Sequence, residues 1–201
     1  MPYRVATAPA AEPISTAEAK LHLRIDAADD DTLVDDLILA ARRHVEQRIW
    51  KSLITQTLEL TLESLPVGAR EIFLPGGPVQ SITSFGYVDT DGASQTLNTS
   101  TDMQLSNYSE PPWLVPAYNT NWPGTRKQVA SATITYLAGY GTAGTDVPQD
   151  ILAAMYLLIG NLYETRTNHP LVPVGSVTES TAIVALLRPY AIQDPLLMAS
   201  V

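Results

Sequence analysis

From Asp29 to Leu53 apolar residues recur at steps of three and four. Val34, Ile38, Ala41, Val45 and Ile49 fall on one helical face, with Leu33, Leu37 and Leu53 widening the stripe. Asp29, Asp30, Asp31, Asp35 and Asp36 crowd the beginning of this stretch and Arg42, Arg43, Arg48 and Lys51 its end, which is the order the helix macrodipole favours. Burying the eight apolar positions contributes on the order of 10 kcal/mol before entropy, so this helix is a core element. Ahead of it, Ser15 and Glu18 have the spacing of a capping box. They open a short helix through Ala17, Lys20, Leu21 and Leu23 that stops near Asp26 and forms a hairpin or corner with the long one. Residues 1–13, rich in alanine and proline, read as a flexible N-terminal arm or an extended strap.

From Ile54 the period changes to two. Ile54, Gln56, Leu58, Leu60 and Leu62 face one way and Thr55, Thr57, Glu59, Thr61 and Glu63 the other, a half-buried strand. Glu71 to Leu74 is a second strand, closed by a turn at Pro75-Gly76-Gly77-Pro78. Val79 to Val88 is a third, and Ile82 and Phe85 break its alternation in the manner of a bulge. Asp91-Gly92 signals a hairpin into Gln95 to Leu97. Met103 to Leu105 and Trp113 to Val115 read as short edge strands, and Val129 to Ala138 carries Ile134, Tyr136 and Ala138 on one face. The middle of the chain is therefore a small antiparallel sheet.

Helical spacing returns at Pro148, suited to a first turn, and runs to about Thr165. No charge occurs between Asp150 and Glu164, and Leu152, Tyr156, Ile159 and Tyr163 lie on a different side from Met155, Leu158 and Leu162. A helix apolar on so many sides is buried on more than one of them, and in a small protein one side can belong to a neighbouring subunit. A loop over residues 167–179 leads to a short helix from Ser180 to Arg188 and a tail from Pro189 to Val201. The fold class is α+β, with two N-terminal helices, two C-terminal helices and a β-rich insertion. The divisions are an arm at 1–13, a helical core at 14–54 and 146–188, an insertion at 55–141 and a tail at 189–201.

Composition narrows the function. With 201 residues, 45% hydrophobic and 16% charged, the chain is an ordinary globular protein with room for one domain and an insertion. The net charge of -9 is spread over the whole length, which argues against tight binding to a phosphate backbone. There are no cysteines, which excludes disulfide scaffolds and thiolate metal sites and suits folding in the cytoplasm. Met1 to Glu12 lacks the apolar run of a signal peptide, and the longest apolar helical run, Ile151 to Gly160, is about half of what a bilayer needs. The expected protein is soluble and does not span a membrane.

Candidate chemistry is sparse. His22, His44 and His169 have no partner at metal-ligand spacing, and Asp29-Asp30-Asp31 lacks the spaced ligands, glycine and terminal glutamate of a calcium loop. Gly76-Gly77 and Gly139-Tyr140-Gly141 are turns rather than phosphate loops, and no G-x-S-x-G elbow supplies a nucleophile. No catalytic residue, metal or cofactor is expected. Trp113, Tyr118 and Trp122 form an aromatic cluster that would suit stacking on a sugar, as in a carbohydrate-binding module, or would cover a sheet face or a subunit contact.

Several segments in order carry a resemblance. They are Ile14-Ser-Thr-Ala-Glu-Ala-Lys-Leu-His-Leu-Arg-Ile-Asp26, the acidic start and basic end of the long helix, Leu53-Ile-Thr-Gln-Thr57, the stretch Pro112 to Pro123, Gly139-Tyr-Gly141 and Leu186-Leu-Arg-Pro-Tyr190. Together they resemble the head-tail connector (adaptor) proteins of long-tailed bacteriophages and phage-like particles such as gene transfer agents. The resemblance implies a helical connector core with a β-rich insertion and a ring of about twelve copies in the virion neck, assembled in the bacterial cytoplasm. It implies no catalytic residues. The implied partners are the portal protein on one side and a stopper or tail-completion protein on the other, with DNA passing through without specific binding. A stopper or tail terminator is the alternative within the same assembly. The implied portal-binding residues are Tyr190, Ile192, Leu196, Leu197 and Met198, in a tail with a single charge, Asp194. Leu152, Tyr156, Ile159, Tyr163, Trp113 and Trp122 are the implied subunit-interface residues.

Overall fold

The computed structural model describes residues 3–164 and 181–192. Their contacts divide into two compact units. One holds the described residues up to Ala10, Thr55–Tyr140 and Ile192, and the other those of Ala11–Ile54 and Gly141–Ala191.

In the helical unit, α1 spans Thr16–Leu23 and begins on the expected box: the Glu18 N–H donates to Ser15 Oγ and the Ser15 N–H to Glu18 Oε2. It ends where Arg24 turns into the left-handed region. Helix α2 spans Asp31–Ile49, shorter at its C-terminal end than the pattern extending to Leu53 predicts, because Trp50 takes the left-handed conformation and its N–H caps Glu46. Val34, Ile38, Ala41, Val45 and Ile49 are all buried, and Leu33 and Leu37 border them half-buried. Helix α3, Gln149–Glu164, packs on α1, α2 and α4, the last spanning Thr181–Leu187 and running into a single 3-10 turn at Arg188–Tyr190. An isolated parallel bridge joins Ile54 to Gly141, so the chain leaves and re-enters this unit at one place.

Three of the clustered aspartates serve tertiary contacts rather than capping. Asp30, at the N-cap position, makes no side-chain cap but accepts from Tyr163 Oη at 2.6 Å, and Asp31 is ion-paired with Lys20. Asp35 accepts from Thr16 Oγ1.

The β unit contains two antiparallel sheets rather than one. The strands are β1 Tyr3–Thr7, β2 Gln56–Leu62, β3 Ile72–Phe73, β4 Val79–Val88, β5 Ser94–Leu97, β6 Met103–Ser106, β7 Trp113–Pro116 and β8 Ala132–Ala138. Five pair in the order β1-β2-β8-β4-β5 and three in the order β3-β7-β6. Strand β4 carries the register shifts its broken alternation predicted, at Val79/Ser81 and Ile82/Ser84. Two readings are corrected. Tyr3–Thr7, within the stretch read as an arm or strap, is an edge strand with every residue exposed, held on β2 by the backbone ladder and by Arg4 donating to Glu59 at 2.9 Å. Strand β7 is not an edge but the centre of the smaller sheet, which places Leu114 and Pro116 in the interior.

One hydrophobic core joins the inner faces of both sheets. Leu58, Leu60, Phe85, Ile134 and Tyr136 come from the larger sheet and Ile72, Met103 and Leu114 from the smaller. Tyr136 is fully buried, and its hydroxyl is satisfied by donating to the Pro75 carbonyl at 2.8 Å.

Candidate interaction surfaces

The residues expected at a subunit interface are distributed differently from a single patch. On α3, Leu152 and Ile159 are buried inside the protomer, Tyr156 and Tyr163 are half-buried, and Leu157 is exposed. Tyr156 stacks its ring at a tilt on His22, with centroids 5.1 Å apart. The aromatic cluster of the β unit is also split. Trp122 is buried against Phe85, and its indole N–H donates to the Arg70 carbonyl at 2.7 Å. Trp113 is half-buried and donates to Ser109, whereas Tyr118 is 91% exposed. A platform for stacking on a sugar needs ring faces open to solvent, and only Tyr118 of the three is exposed, so the carbohydrate-binding reading loses its basis.

Among the residues assigned to portal binding, Leu196, Leu197 and Met198 lie outside the described residues. Tyr190 is half-buried, and its hydroxyl donates to Asp150 Oδ2 at 3.1 Å. Ile192 is buried.

The structure also assembles two groups that sequence spacing did not single out. The first is the ion-paired cluster of Arg42 with Glu12 and Glu46, at 2.7 and 2.9 Å. Arg42 and Glu46 stand four apart on α2, a pairing visible in sequence, but nothing in the sequence brings Glu12 to them. Burial opposes the charge on Arg42, yet the two carboxylates more than offset it and raise its pKa. Burial also pushes the Glu46 carboxyl up, despite a hydrogen bond from the Leu53 N–H at 2.9 Å and the charge of Arg42. Arg42 thereby fixes the segment preceding α1 onto α2. The second group is an open groove of about 320 Å³ lined by Arg48, Val184, Leu187, Arg188 and Ala191. Among the described residues no three His, Asp or Glu side chains converge as metal ligands, and no helix is long and apolar enough to cross a membrane.

The segment 14–77 contains α1, its capping box, all of α2 and strands β2 and β3 of the β unit. Residues 14–77 match the family profile described as phage gp6-like head-tail connector protein. No curated protein matches the chain in sequence. In three dimensions the chain is similar to chains in solved gene transfer agent particles, over 96% of its own length and 97% of theirs. They are a chain in the neck of an empty particle treated with C6 symmetry and one in the virion of the native particle, each at 24% identity and a TM-score of 0.75. A third, in the neck of the native particle treated with C12 symmetry, has 25% identity and a TM-score of 0.72. The head-tail connector resemblance therefore rests on a sequence match and on a shared fold that extends well beyond the matched segment.

Proposed function

We propose that this chain is a non-enzymatic structural protein of the neck of a phage or phage-derived particle. About twelve copies form a ring between the portal and the stopper or tail-completion proteins, with DNA passing through. The observation that carries this reading is the coincidence, in one chain, of a connector-family segment with a fold shared along nearly its whole length with neck chains. The rotational symmetry under which those necks were treated supports a ring of identical copies. Helices α1 to α4 form the connector core, spanning 14–54 and 146–188, and residues 55–141 are its insertion. The test is direct: the purified chain, alone and added to portal-bearing heads, should give rings by electron microscopy. A protein that remains monomeric under both conditions overturns the proposal.

In this role DNA is a passenger. With a net charge of -9, the ring presents a surface that repels phosphates on balance, so the duplex slides rather than lodges. The expected result is no measurable binding to duplex DNA at physiological salt, whereas micromolar affinity with a steep salt dependence would refute it.

The portal contact is assigned to residues 189–201, which contain Tyr190, Ile192, Leu196, Leu197 and Met198 and a single charge. Such a composition suits a segment that orders on a partner. Because Ile192 is buried, the informative truncation removes residues 193–201. The truncated protein is expected to fold with an unchanged melting temperature and to lose its association with portal-bearing heads. Heads that retain it at the wild-type level would exclude the tail as the portal contact.

A further inference from the structure

We infer that strand β1 is exchanged between copies: Tyr3–Thr7 of each protomer pairs with β2 of the next, stitching the ring from copy to copy. This inference rests on the ring reading and specifies one of its interfaces.

The outer edge of β2 needs a strand, and the structure identifies the sequence that fits it. Leu58 and Leu60 on β2 are fully buried, and Val5 and Tyr3 stand directly opposite them in the antiparallel ladder. Arg4 stands opposite Glu59 and is ion-paired with it at 2.9 Å. A strand in this place satisfies backbone groups of β2 that would otherwise line an open edge. The fit depends on the sequence of β1 and not on which copy supplies it.

Strand β1 receives little in return for covering that edge. All of its residues are exposed, Tyr3 by 37% and Val5 by 50%, and its register slips between Val5 and Thr7. The Arg4 side chain is 73% exposed, so its ion pair adds little. Such a strand opens locally at a small fraction of the cost of unfolding the core. Firm attachment begins only at Glu12, which is ion-paired with the buried Arg42, and continues through Pro13 and Ile14, both buried, to Ser15 at the cap of α1. Between the loose strand and this anchor runs the uncharged stretch Ala8-Pro9-Ala10-Ala11, with its three alanines exposed. The five steps from Thr7 to Glu12 extend to about 17 Å, so β1 can swing about a fixed point while α1 and α2 stay intact.

Exchange therefore keeps the contacts the closed copy makes and turns them into contacts between copies, the low-cost route by which identical elements build oligomers. Each copy donates β1 to one neighbour and accepts β1 from the other. Two different surfaces of one chain are used, so the contact is heterologous and propagates around a ring.

The test uses the full chain, which has no cysteine of its own, with R4C/E59C placing two thiols on facing residues of the ladder. Oxidised in dilute solution, the double variant should close within one chain. It should then assemble, alone or on portal-bearing heads, at least tenfold more weakly than the same protein kept reduced. Oxidised after assembly, it should run on denaturing, non-reducing gels as a ladder of linked chains extending beyond the dimer. Rings assembled from an equal mixture of R4C and E59C proteins, neither of which can close internally, should yield dimers containing one chain of each. The exchange is overturned, and the ring left intact, if the locked protein assembles as readily as the reduced one, if the ladder stops at dimers, or if assembled rings give only monomers from the double variant and no mixed dimers from the singles. A wild-type chain that never assembles removes the ring and the exchange together.

Discussion

Arg42→Met is expected to cost about 3 kcal/mol of stability at neutral pH, because it leaves Glu12 and Glu46 facing each other without their shared cation. The Arg42 side chain is only 6% exposed and Glu46 14%, so neither carboxylate charge is well hydrated in its place, although Glu12, at 34%, retains some contact with water. Methionine replaces the aliphatic stem but none of the hydrogen bonds. Lysine should recover part of the loss, since one ammonium cannot match the spread of the guanidinium toward two carboxylates.

The pH dependence of this loss has a definite sign. Burial already holds the Glu46 carboxyl above its ordinary value, and removing Arg42 raises it further. A carboxyl whose folded pKa lies above its unfolded value binds more protons in the folded state as pH falls through the folded pKa toward the unfolded one, and folding gains accordingly. The deficit of Arg42→Met relative to wild type should therefore be largest near pH 7.5 and shrink toward pH 5. Urea unfolding of both proteins at the two pH values measures it, and a deficit that grows on acidification would contradict this account.

Elements whose stability comes from one buried face were legible in the sequence. The α2 stripe, the box at Ser15 and Glu18, and the alternation of β2 and β8 each placed their residues as found, because burial of one face imposes a period that the sequence must carry. Strand β1 carries no such period: all five of its residues are exposed, and it is held by main-chain hydrogen bonds that any sequence can make. Four-residue strands such as β6 and β7 are too short for alternation to tell centre from edge or to separate a second sheet from the first.

The surfaces were harder to read than the fold. An exposed-looking aromatic in a proline-rich stretch gives no sign of which way its ring turns, and Trp122 turned inward because the Arg70 carbonyl accepts its N–H while Phe85 packs against its ring. Arg42 reads as part of a basic helix end, yet it is paired with two carboxylates, one of them thirty residues earlier. Arg48 and Arg188 come together only through the packing of α4 on α2, a long-range contact with no local signature. Sequence periodicity reports what is buried along one element, whereas a groove is made by two.

Gly144→Val is expected to be as damaging as the loss of Arg42, by a different route. A Cβ at this position would sit 2.0 Å from the Pro13 carbonyl oxygen and 2.9 Å from its carbon, distances that no side-chain rotation relieves because the obstructing atoms are backbone. Pro13 cannot easily retreat. Its ring fixes its own φ, Ile14 beyond it is 1% exposed, Ser15 is committed to the cap of α1, and Glu12 before it is held by Arg42. The added side chain must therefore displace a segment pinned at both ends, costing about 3 kcal/mol and weakening the Glu12 ion pair with it. Two other glycines calibrate the result. At Gly141 the obstruction is the Asp146 side chain, 2.1 Å from the added carbon, which can rotate away at the cost of its 3.0 Å hydrogen bond from the Ala143 N–H. At Gly68 nothing lies within 4 Å, and alanine there meets only the left-handed backbone at φ +79°, worth about 1 kcal/mol. Thermal unfolding should rank the variants Gly144→Val below Gly141→Ala and Gly141→Ala at or below Gly68→Ala. A Gly144→Val protein as stable as Gly68→Ala would show that the strap before α1 yields freely, and that Arg42 does not pin it.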